Sequence, residues 1–251
     1  MALRDLQAVL VRLYADRAYR EVFFADRSSV GAEQPLTETE RKQLDALRRD
    51  DIERFANALR RKRLGPVREL TPALARLLGD DFDRRFDAFC ADNPSARAPL
   101  DEARAFLTTV TVTSPFANDL TVCEQLRLEV RAGRNARPGP GPPAMVNSRL
   151  RQFAYDWARL YPLVARGELT DAAPESSWVL VGKVIGELAV KLRRVNPTTT
   201  RLLGLFDGVK SSEQAIIQVA EELGLNEFER LKFREEARRL LEQLAASGLL
   251  A

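Results

Sequence analysis

Histidine is absent from the 251 residues of this chain. Because Ser-His-Asp and Cys-His catalysis both need an imidazole to carry a proton, the composition excludes these two mechanisms. It also excludes every metal site that uses histidine as a ligand. The sequence contains neither a GxGxxG nor a Walker A glycine motif, so it predicts no phosphate loop of those types. A self-sufficient enzyme with its own catalytic residue, metal or cofactor is therefore less expected.

Cysteine and long apolar runs are scarce as well. Cys90 and Cys123 are the two cysteines, and their separation fits neither a CxxC pair nor a disulfide framework. We expect buried thiols in a reducing compartment. No apolar run reaches the roughly 18 residues of a membrane span, and Arg4, Asp5 and Arg12 interrupt the apolar stretch near the start. The sequence thus predicts a cytoplasmic protein without membrane contact.

The charges nearly balance. The 39 basic and 36 acidic residues leave a net charge of +3, so the pI of about 9.0 is a weak indication of binding to polyanions. The basic residues are densest in one cluster, which consists of Arg60, Arg61, Lys62, Arg63 and Arg68. This cluster has three interpretations: a solvated helix face, a docking surface for a partner protein, and a phosphate-binding patch.

A group of aspartates follows the basic cluster along the chain: Asp80, Asp81, Asp83 and Asp87. The group lacks the glycine turn and the ligand spacing of a calcium loop. Acidic residues in the first turn of a helix are stabilised by the helix dipole. We therefore interpret these residues as the start of a helix and not as a metal site.

A stretch rich in proline and glycine divides the chain. Proline lacks a backbone donor and glycine lacks conformational restraint, so neither a helix nor a strand can continue through 138–143. We predict a helical domain at 1–132, a linker at 133–147 and a second domain at 148–251.

Helical periodicity dominates the first domain. Apolar residues recur at helix spacing in several segments, and Thr37 followed by Glu40 matches a capping box. We predict that Gly65-Pro66 bends or ends the helix before it. Further helices are expected at 71–78, 80–91, 99–110 and 119–131.

The second domain begins with strands. Leu188, Val190 and Leu192 alternate with polar or small residues, which is typical of a strand with one buried face, and we predict a hairpin that turns near 185–187. A strand from 148 and a helix over 155–163 are competing interpretations of the segment after the linker. Three helices follow, with the predicted N-caps Asn196, Ser211 and Asn226. The fold class is α+β: an all-α domain, then a winged-helix-like domain with a small antiparallel sheet and three helices.

Two runs in the second domain resemble a known family. These runs are LLGLFDG, within NPTTTRLLGLFDGVKSSEQAI, and the closing EARRLLEQLAASGLL. They are similar to the peptide-binding winged-helix domain of ribosomally made peptide biosynthesis, typified by the pyrroloquinoline quinone chaperone. The resemblance implies that the leader of a precursor peptide adds as a strand to the edge of the sheet and lies against the last helix.

The first domain extends the resemblance. The run FANALRRKRLGPVRELTPALARLLGDDFDRRFDAFCADNP is similar to the helical domain of small partner proteins of multinuclear non-haem iron oxidative enzymes, as in methanobactin and thiaglutamate biosynthesis. The prolines of the linker have no counterpart in that family pattern. The resemblance implies a heterodimer in which the partner enzyme holds the iron and modifies cysteine in the precursor. Because the run includes the basic cluster, docking ranks above nucleic-acid binding for it.

The resemblance also implies which residues bind the leader. The matching strand gives Leu188, Val190, Lys191, Leu192, Arg193 and Arg194, whose cations suit an acidic leader. Its charges fit equally a solvated edge that is protected against aggregation. On the last helix, Phe228 and Leu231 lie outside the core stripe formed by Phe233, Ala237, Leu240, Leu241 and Leu244. They are expected either to line a peptide groove, or to pack on the second of the three helices or on the N-terminal domain.

The function expected from these observations is that of a non-catalytic accessory subunit. It binds a leader peptide and presents the precursor to an iron-dependent oxidative enzyme. The alternative from another class is a winged-helix regulator that binds nucleic acid, which the pI and the basic cluster favour. An enzyme that uses only carboxylates or cysteine has no supporting group of residues.

Overall fold

The computed structural model describes residues 2–27, 36–94, 96–133, 144–184, 186–187 and 189–250. The chain forms two compact units, which divide between Val110 and Thr111. The described part of the first unit is helical throughout, and that of the second combines helices with a three-stranded antiparallel sheet. The architecture is therefore α+β, as predicted.

The first unit is built from helices joined by short connections. In chain order its described helices are α1 (Ala2–Ala15), α2 (Arg17–Ala25), α3 (Glu38–Asp45), α4 (Arg49–Leu70), α5 (Pro72–Leu78), α6 (Asp80–Asp92) and α7 (Pro99–Thr109). The capping box at Thr37 and Glu40 is confirmed, because each side chain accepts a hydrogen bond from the backbone N–H of the other residue.

A cluster of phenylalanines holds α6 against α7. The ring of Phe106 lies 5.1 Å from Phe82, 5.3 Å from Phe86 and 5.7 Å from Phe89. All four side chains are buried. The spacing of the three phenylalanines on α6 follows the helix period, so one face of that helix supplies most of the cluster.

The helix α4 continues through Gly65-Pro66, so of the two predicted alternatives, a bend or an end at this point, the end is wrong. Leu64 and Val67 are buried on either side of the proline, and their packing outweighs the lost hydrogen bond. The helix ends at Leu70, and Pro72 then starts α5 at a position where a missing N–H costs little.

The second unit places helices before, within and after the sheet. In chain order it contains α8 (Pro115–Ala132), β1 (Ser148–Phe153), α9 (Trp157–Arg166), β2 (Ser177–Lys183), β3 (Val190–Val195), α10 (Pro197–Gly204), α11 (Ser212–Glu222) and α12 (Glu227–Ala246). Both competing interpretations of 148–163 are correct in part, because β1 is followed directly by α9. The predicted N-caps of α10, α11 and α12 are confirmed.

The sheet has the strand order β1-β2-β3 with antiparallel pairing throughout. Gly186, between β2 and β3, has a φ of 85°, a left-handed conformation that favours glycine and fits the predicted hairpin. On one face of the sheet, Leu150, Leu180 and Val195 pack against α10, α11 and α12. Val179 and Val181 point to the other face, where they are fully buried.

The boundary between the two units differs from the predicted one. The predicted helical domain at 1–132 includes α8, but α8 contacts all three strands and belongs to the second unit. Most of the predicted linker, 134–143, lies outside the described residues. Its last part is attached to the second unit, because Ala144 pairs with Asp207 and Met145 with Leu250 in short β-bridges.

None of the helices in the described ranges is both long enough and apolar enough to cross a membrane.

The phenylalanine cluster generates a stability prediction. Phe106→Ala leaves a cavity beside three rings and is expected to lower the free energy of unfolding by about 3–5 kcal/mol. The matched control is Phe228→Ala, where the side chain is 78% exposed and we expect a change within about 0.5 kcal/mol. Urea denaturation of the full chain measures both. Equal midpoints for the two variants would contradict the assigned core.

Candidate functional site

The candidate peptide-binding edge of the sheet lies at β3, one of its two outer strands. Within the described residues β3 pairs with β2 along one side and with no strand along the other. An edge strand presents unpaired N–H and C=O groups, which can pair with the strand of another chain. At the opposite edge of the sheet, the residues before β1 are in contact with the end of the chain: Asn147 Nδ2 donates to the carbonyl of Gly248 at 2.8 Å.

Side chains on β3 alternate as predicted. Lys191 and Arg193 are exposed, whereas Val190 and Leu192 are half-buried. Arg193 lies opposite Leu180 of β2, on the sheet face that packs against α10 to α12. The predicted residue Leu188 lies outside the described residues.

Two of the three cations predicted to meet an acidic leader have acidic partners in this chain. Lys191 Nζ lies 2.8 Å from Glu187. Arg194 binds Asp156 at 3.0 Å and Glu175 at 2.6 Å, and the hydrogen bonds to Glu175 and then Asp156 raise the pKa of Arg194 above its usual value. Arg193 is exposed and forms no ion pair within the described part of the chain. Arg193 is therefore the cation of β3 best placed to meet an external carboxylate.

A pocket lies at the end of β3. Its volume is about 490 Å³, and it is lined by Ser176, Ser177, Trp178, Arg194, Val195, Asn196 and Pro197. Trp178 is directly opposite Val195 in the strand pairing. An indole and a valine beside an open strand edge offer an apolar surface for one side chain of an added strand.

The helix α12 carries the two predicted apolar residues outside the core. Phe228 is 78% exposed and Leu231 is 62% exposed, whereas Ala237, Leu241 and Leu244 are buried against the sheet. At about 100° per residue, Leu231 lies within about 20° of Arg238, which binds Glu213 of α11. Leu231 thus points to the side of α12 where α11 lies, and Phe228 lies a further 60° or so around the helix.

A half-buried carboxylate, that of Asp119, attaches α8 to the start of α9 and the residues just before it. Asp119 Oδ2 accepts hydrogen bonds from the indole Nε1 of Trp157 at 2.9 Å and from the backbone N–H of Tyr155 at 3.2 Å. Burial raises the pKa of Asp119, and the hydrogen bond from Trp157 opposes that rise. The rings of Tyr155 and Trp157 also pack on Phe116.

A second buried polar group joins α8 to α9. Glu124 has a fully buried side chain, and the hydroxyl of Tyr161 donates to its two oxygens at 3.0 and 3.1 Å. Arg127 forms an ion pair with Glu124 and donates to the Tyr161 oxygen. A buried charge is tolerated only when it is paired and hydrogen-bonded, so this network fixes the position of α9 on α8.

Most of the predicted basic cluster is engaged within the first unit. Arg60 pairs with Asp87 and Arg68 with Asp83. Arg63 lies 2.6 Å from the buried Glu102 and also donates to the carbonyl of Asn93 at 2.8 Å. These three arginines therefore tie α4 to α6 and α7. Arg61 and Lys62 are exposed on α4.

A groove of about 1060 Å³ runs beside α4 in the first unit. Eight basic and four acidic residues line it, and the basic ones are Arg17, Arg20, Arg49, Arg60, Lys62, Arg63, Arg84 and Arg97. Sequence reasoning missed this groove because its residues come from segments far apart in the chain. The sequence signal that could have indicated the groove is Ala56 and Ala88, because small side chains on facing helices leave space between the helices.

The described ranges hold no group of three or more histidine, cysteine, aspartate or glutamate residues placed to bind a metal. Both cysteines are buried thiols, as predicted. Burial raises the pKa of Cys90 to about 11 and that of Cys123 well above its usual value, which disfavours a reactive thiolate at neutral pH.

Comparison with known proteins gives one partial match. A family model described as the SCO6045-like, C-terminal domain matches residues 41–112. The matched region covers α4 to α7, including the phenylalanine cluster and most of the groove. It is less than a third of the chain. No curated protein matches.

Adjacent arginines on β3 generate a prediction about the site. Arg194→Ala removes a charged partner of the buried Asp156, and we expect the melting temperature to fall by about 2–4 °C. Arg193→Ala removes an exposed side chain, and we expect its melting temperature to lie within about 1 °C of that of the unaltered chain. Thermal unfolding followed by circular dichroism compares the two variants. A larger loss for Arg193→Ala would mean that the two roles have been assigned to the wrong residues.

Proposed function

We propose that this chain is a non-catalytic accessory subunit. It binds the leader of a ribosomally made precursor peptide and presents the precursor to an iron-dependent oxidative enzyme that modifies peptide cysteine. The observation that carries the proposal is the open edge of β3, in a small antiparallel sheet that is followed by three capped helices. Such an edge binds an extended peptide by main-chain hydrogen bonds.

The order of elements in the second unit supports this assignment. The hairpin of β2 and β3 followed by three helices fits the winged-helix-like unit expected from the sequence, and in the family that this sequence resembles such a unit binds leaders. The six residues of β3 accommodate a leader strand of similar length, about 20 Å long. Main-chain pairing supplies affinity, while the pocket beside Trp178 and Val195 selects one side chain.

An acidic residue of the leader meets Arg193 in this proposal. Because Lys191 and Arg194 have acidic partners in the chain, neither of them is the primary contact. Phe228 is a candidate contact for an apolar leader residue, since burying its exposed ring on binding is favourable.

The first unit docks on the oxidative enzyme in this proposal. Holding the precursor and the enzyme on one subunit makes delivery of the modifiable segment intramolecular, which raises its effective concentration. The iron belongs to the partner enzyme. The absence of histidine and the raised pKa values of both thiols fit a chain that supplies binding and no chemistry.

A nucleic-acid regulator receives less support from the same residues. Duplex binding needs cations that are free to meet phosphates. In the cluster that suggested it, Arg60, Arg63 and Arg68 already bind carboxylates of the first unit.

Binding of a fluorescently labelled precursor peptide tests the leader site. Arg193→Glu places a like charge opposite an acidic leader and is expected to raise the dissociation constant at least tenfold. Phe228→Ala is expected to raise it severalfold through lost apolar contact. Arg61→Glu is the matched control, because Arg61 is likewise an exposed arginine but lies on α4 in the first unit. Fluorescence anisotropy measures all three variants.

Salt separates the two classes of function. Leader binding through strand pairing is expected to weaken less than tenfold between about 50 and 200 mM salt, whereas a protein with six or more phosphate contacts loses roughly a thousandfold or more. An affinity for duplex DNA that exceeds the affinity for the precursor would contradict the proposal. Unchanged precursor binding by Arg193→Glu would remove β3 from the site.

A further inference from the structure

The lining of the groove beside α4 contains more basic residues than acidic ones. Its four acidic residues are all bound by three of its arginines: Arg49 binds Glu21 and Glu53, Arg60 binds Asp87, and Arg63 binds Glu102. Five cations of the lining remain beyond these pairs: Arg17, Arg20, Lys62, Arg84 and Arg97. One of them, Arg84, binds Asp81 at 3.3 Å, outside the lining, and the other four form no ion pair within the described residues. Like charges gathered in a concave surface focus a positive potential, which favours the binding of an anion.

The remaining cations are partly fixed in position. The guanidinium of Arg20 donates to the carbonyls of Leu13 at 3.0 Å and Tyr14 at 3.2 Å, at the end of α1. Burial lowers the pKa of Arg20, and the charge of Arg17 also lowers it, whereas the charges of Glu53, Asp16 and Glu21 raise it.

The shape of the groove suits an extended chain. Its lining on α4 runs from Arg49 to Pro66, which is about 25 Å along the helix axis. About eight residues of extended polypeptide span the same length. Alanines at positions 15, 56, 88, 91 and 96 line the groove, so backbone can approach the helices closely. The volume of about 1060 Å³ is at the upper limit of small-molecule sites, and the length favours a peptide.

We infer that this groove binds an extended acidic segment of a partner protein. The inference deepens the docking half of the proposed function and rests on it for the identity of the partner, the oxidative enzyme. Carboxylates spaced along an extended segment would meet Arg17 and Arg20 at one part of the groove and Lys62, Arg84 and Arg97 elsewhere along it. The docking surface is therefore the groove and not the whole predicted basic cluster, because Arg61 and Arg68 do not line it.

Anisotropy of a fluorescein-labelled octaglutamate peptide tests the groove in the full chain. The double variant Lys62→Glu/Arg84→Glu reverses two exposed lining cations and is expected to raise the dissociation constant at least tenfold. The matched control Arg54→Glu/Arg61→Glu makes the same change of charge at two exposed arginines of α4 outside the groove. We expect less than a threefold effect from the control.

A variant that keeps the charge tests the shape. Ala88 is exposed and lines the groove, so Ala88→Trp fills space without disturbing the core. It is expected to weaken octaglutamate binding at least tenfold, while circular dichroism and the melting temperature stay as in the unaltered chain. Binding that survives Ala88→Trp, or that the control double variant weakens as much as the groove variant, would overturn the inference.

Two further measurements identify the kind of ligand in the groove and separate the groove inference from the proposed function. An eight-residue oligothymidylate that binds more tightly than octaglutamate, and is weakened by the groove variants, would identify a nucleic-acid groove and overturn the acidic peptide. Co-purification with the oxidative enzyme tests the proposed function separately. If the enzyme co-purifies but octaglutamate does not bind, the groove inference fails and the proposed function stands. If octaglutamate binds in the groove but the enzyme does not co-purify, the peptide groove stands and the assigned partner is wrong.

Discussion

Packing of α8 against the sheet is the interaction on which the second unit depends. Asp119 accepts hydrogen bonds from Trp157 and Tyr155, and the side chain of Glu124 is held by Arg127 and Tyr161. These contacts place helices on one face of the sheet, while α10, α11 and α12 cover the other. A three-stranded sheet covered on both faces presents only its outer strands, β1 and β3, to another chain, and the edge of β3 is the proposed peptide site.

Ion pairing decides which charges are left for partners. Most of the conspicuous cations in the sequence bind carboxylates of the same unit, as Arg63 does with Glu102 and Arg194 with Asp156. Pairs with a buried carboxylate, and exposed ones such as Lys191 with Glu187, both remove a cation from the set available to a ligand. Among the cations that form no ion pair within the described residues are Arg193 on the strand edge and, in the groove beside α4, Arg17, Arg20, Lys62 and Arg97. The proposed division of labour, a leader on one unit and an enzyme on the other, follows from this residual charge.

Features with a local cause were predictable from the sequence. The capping boxes at Thr37, Ser211 and Asn226 depend on residues three apart, and the hairpin depends on alternation and on Gly186. Features with a tertiary cause were not. Pro66 stays inside α4 because its neighbours are buried, α8 belongs with the sheet because Asp119 meets Trp157, and the groove combines residues from segments far apart. Strand β3 was identified as the candidate edge from the sequence, but the partners that occupy Lys191 and Arg194 required the structure.

Amide hydrogen exchange across the full chain tests the central claim, that two different surfaces serve two partners. Adding the precursor peptide is expected to slow exchange in β3, whose unpaired N–H groups would gain partners, and to leave the first unit unchanged. Adding the oxidative enzyme is expected to slow exchange in the helices that line the groove beside α4. Protection of the groove by the precursor alone, with β3 exchanging as in the free protein, would contradict the account.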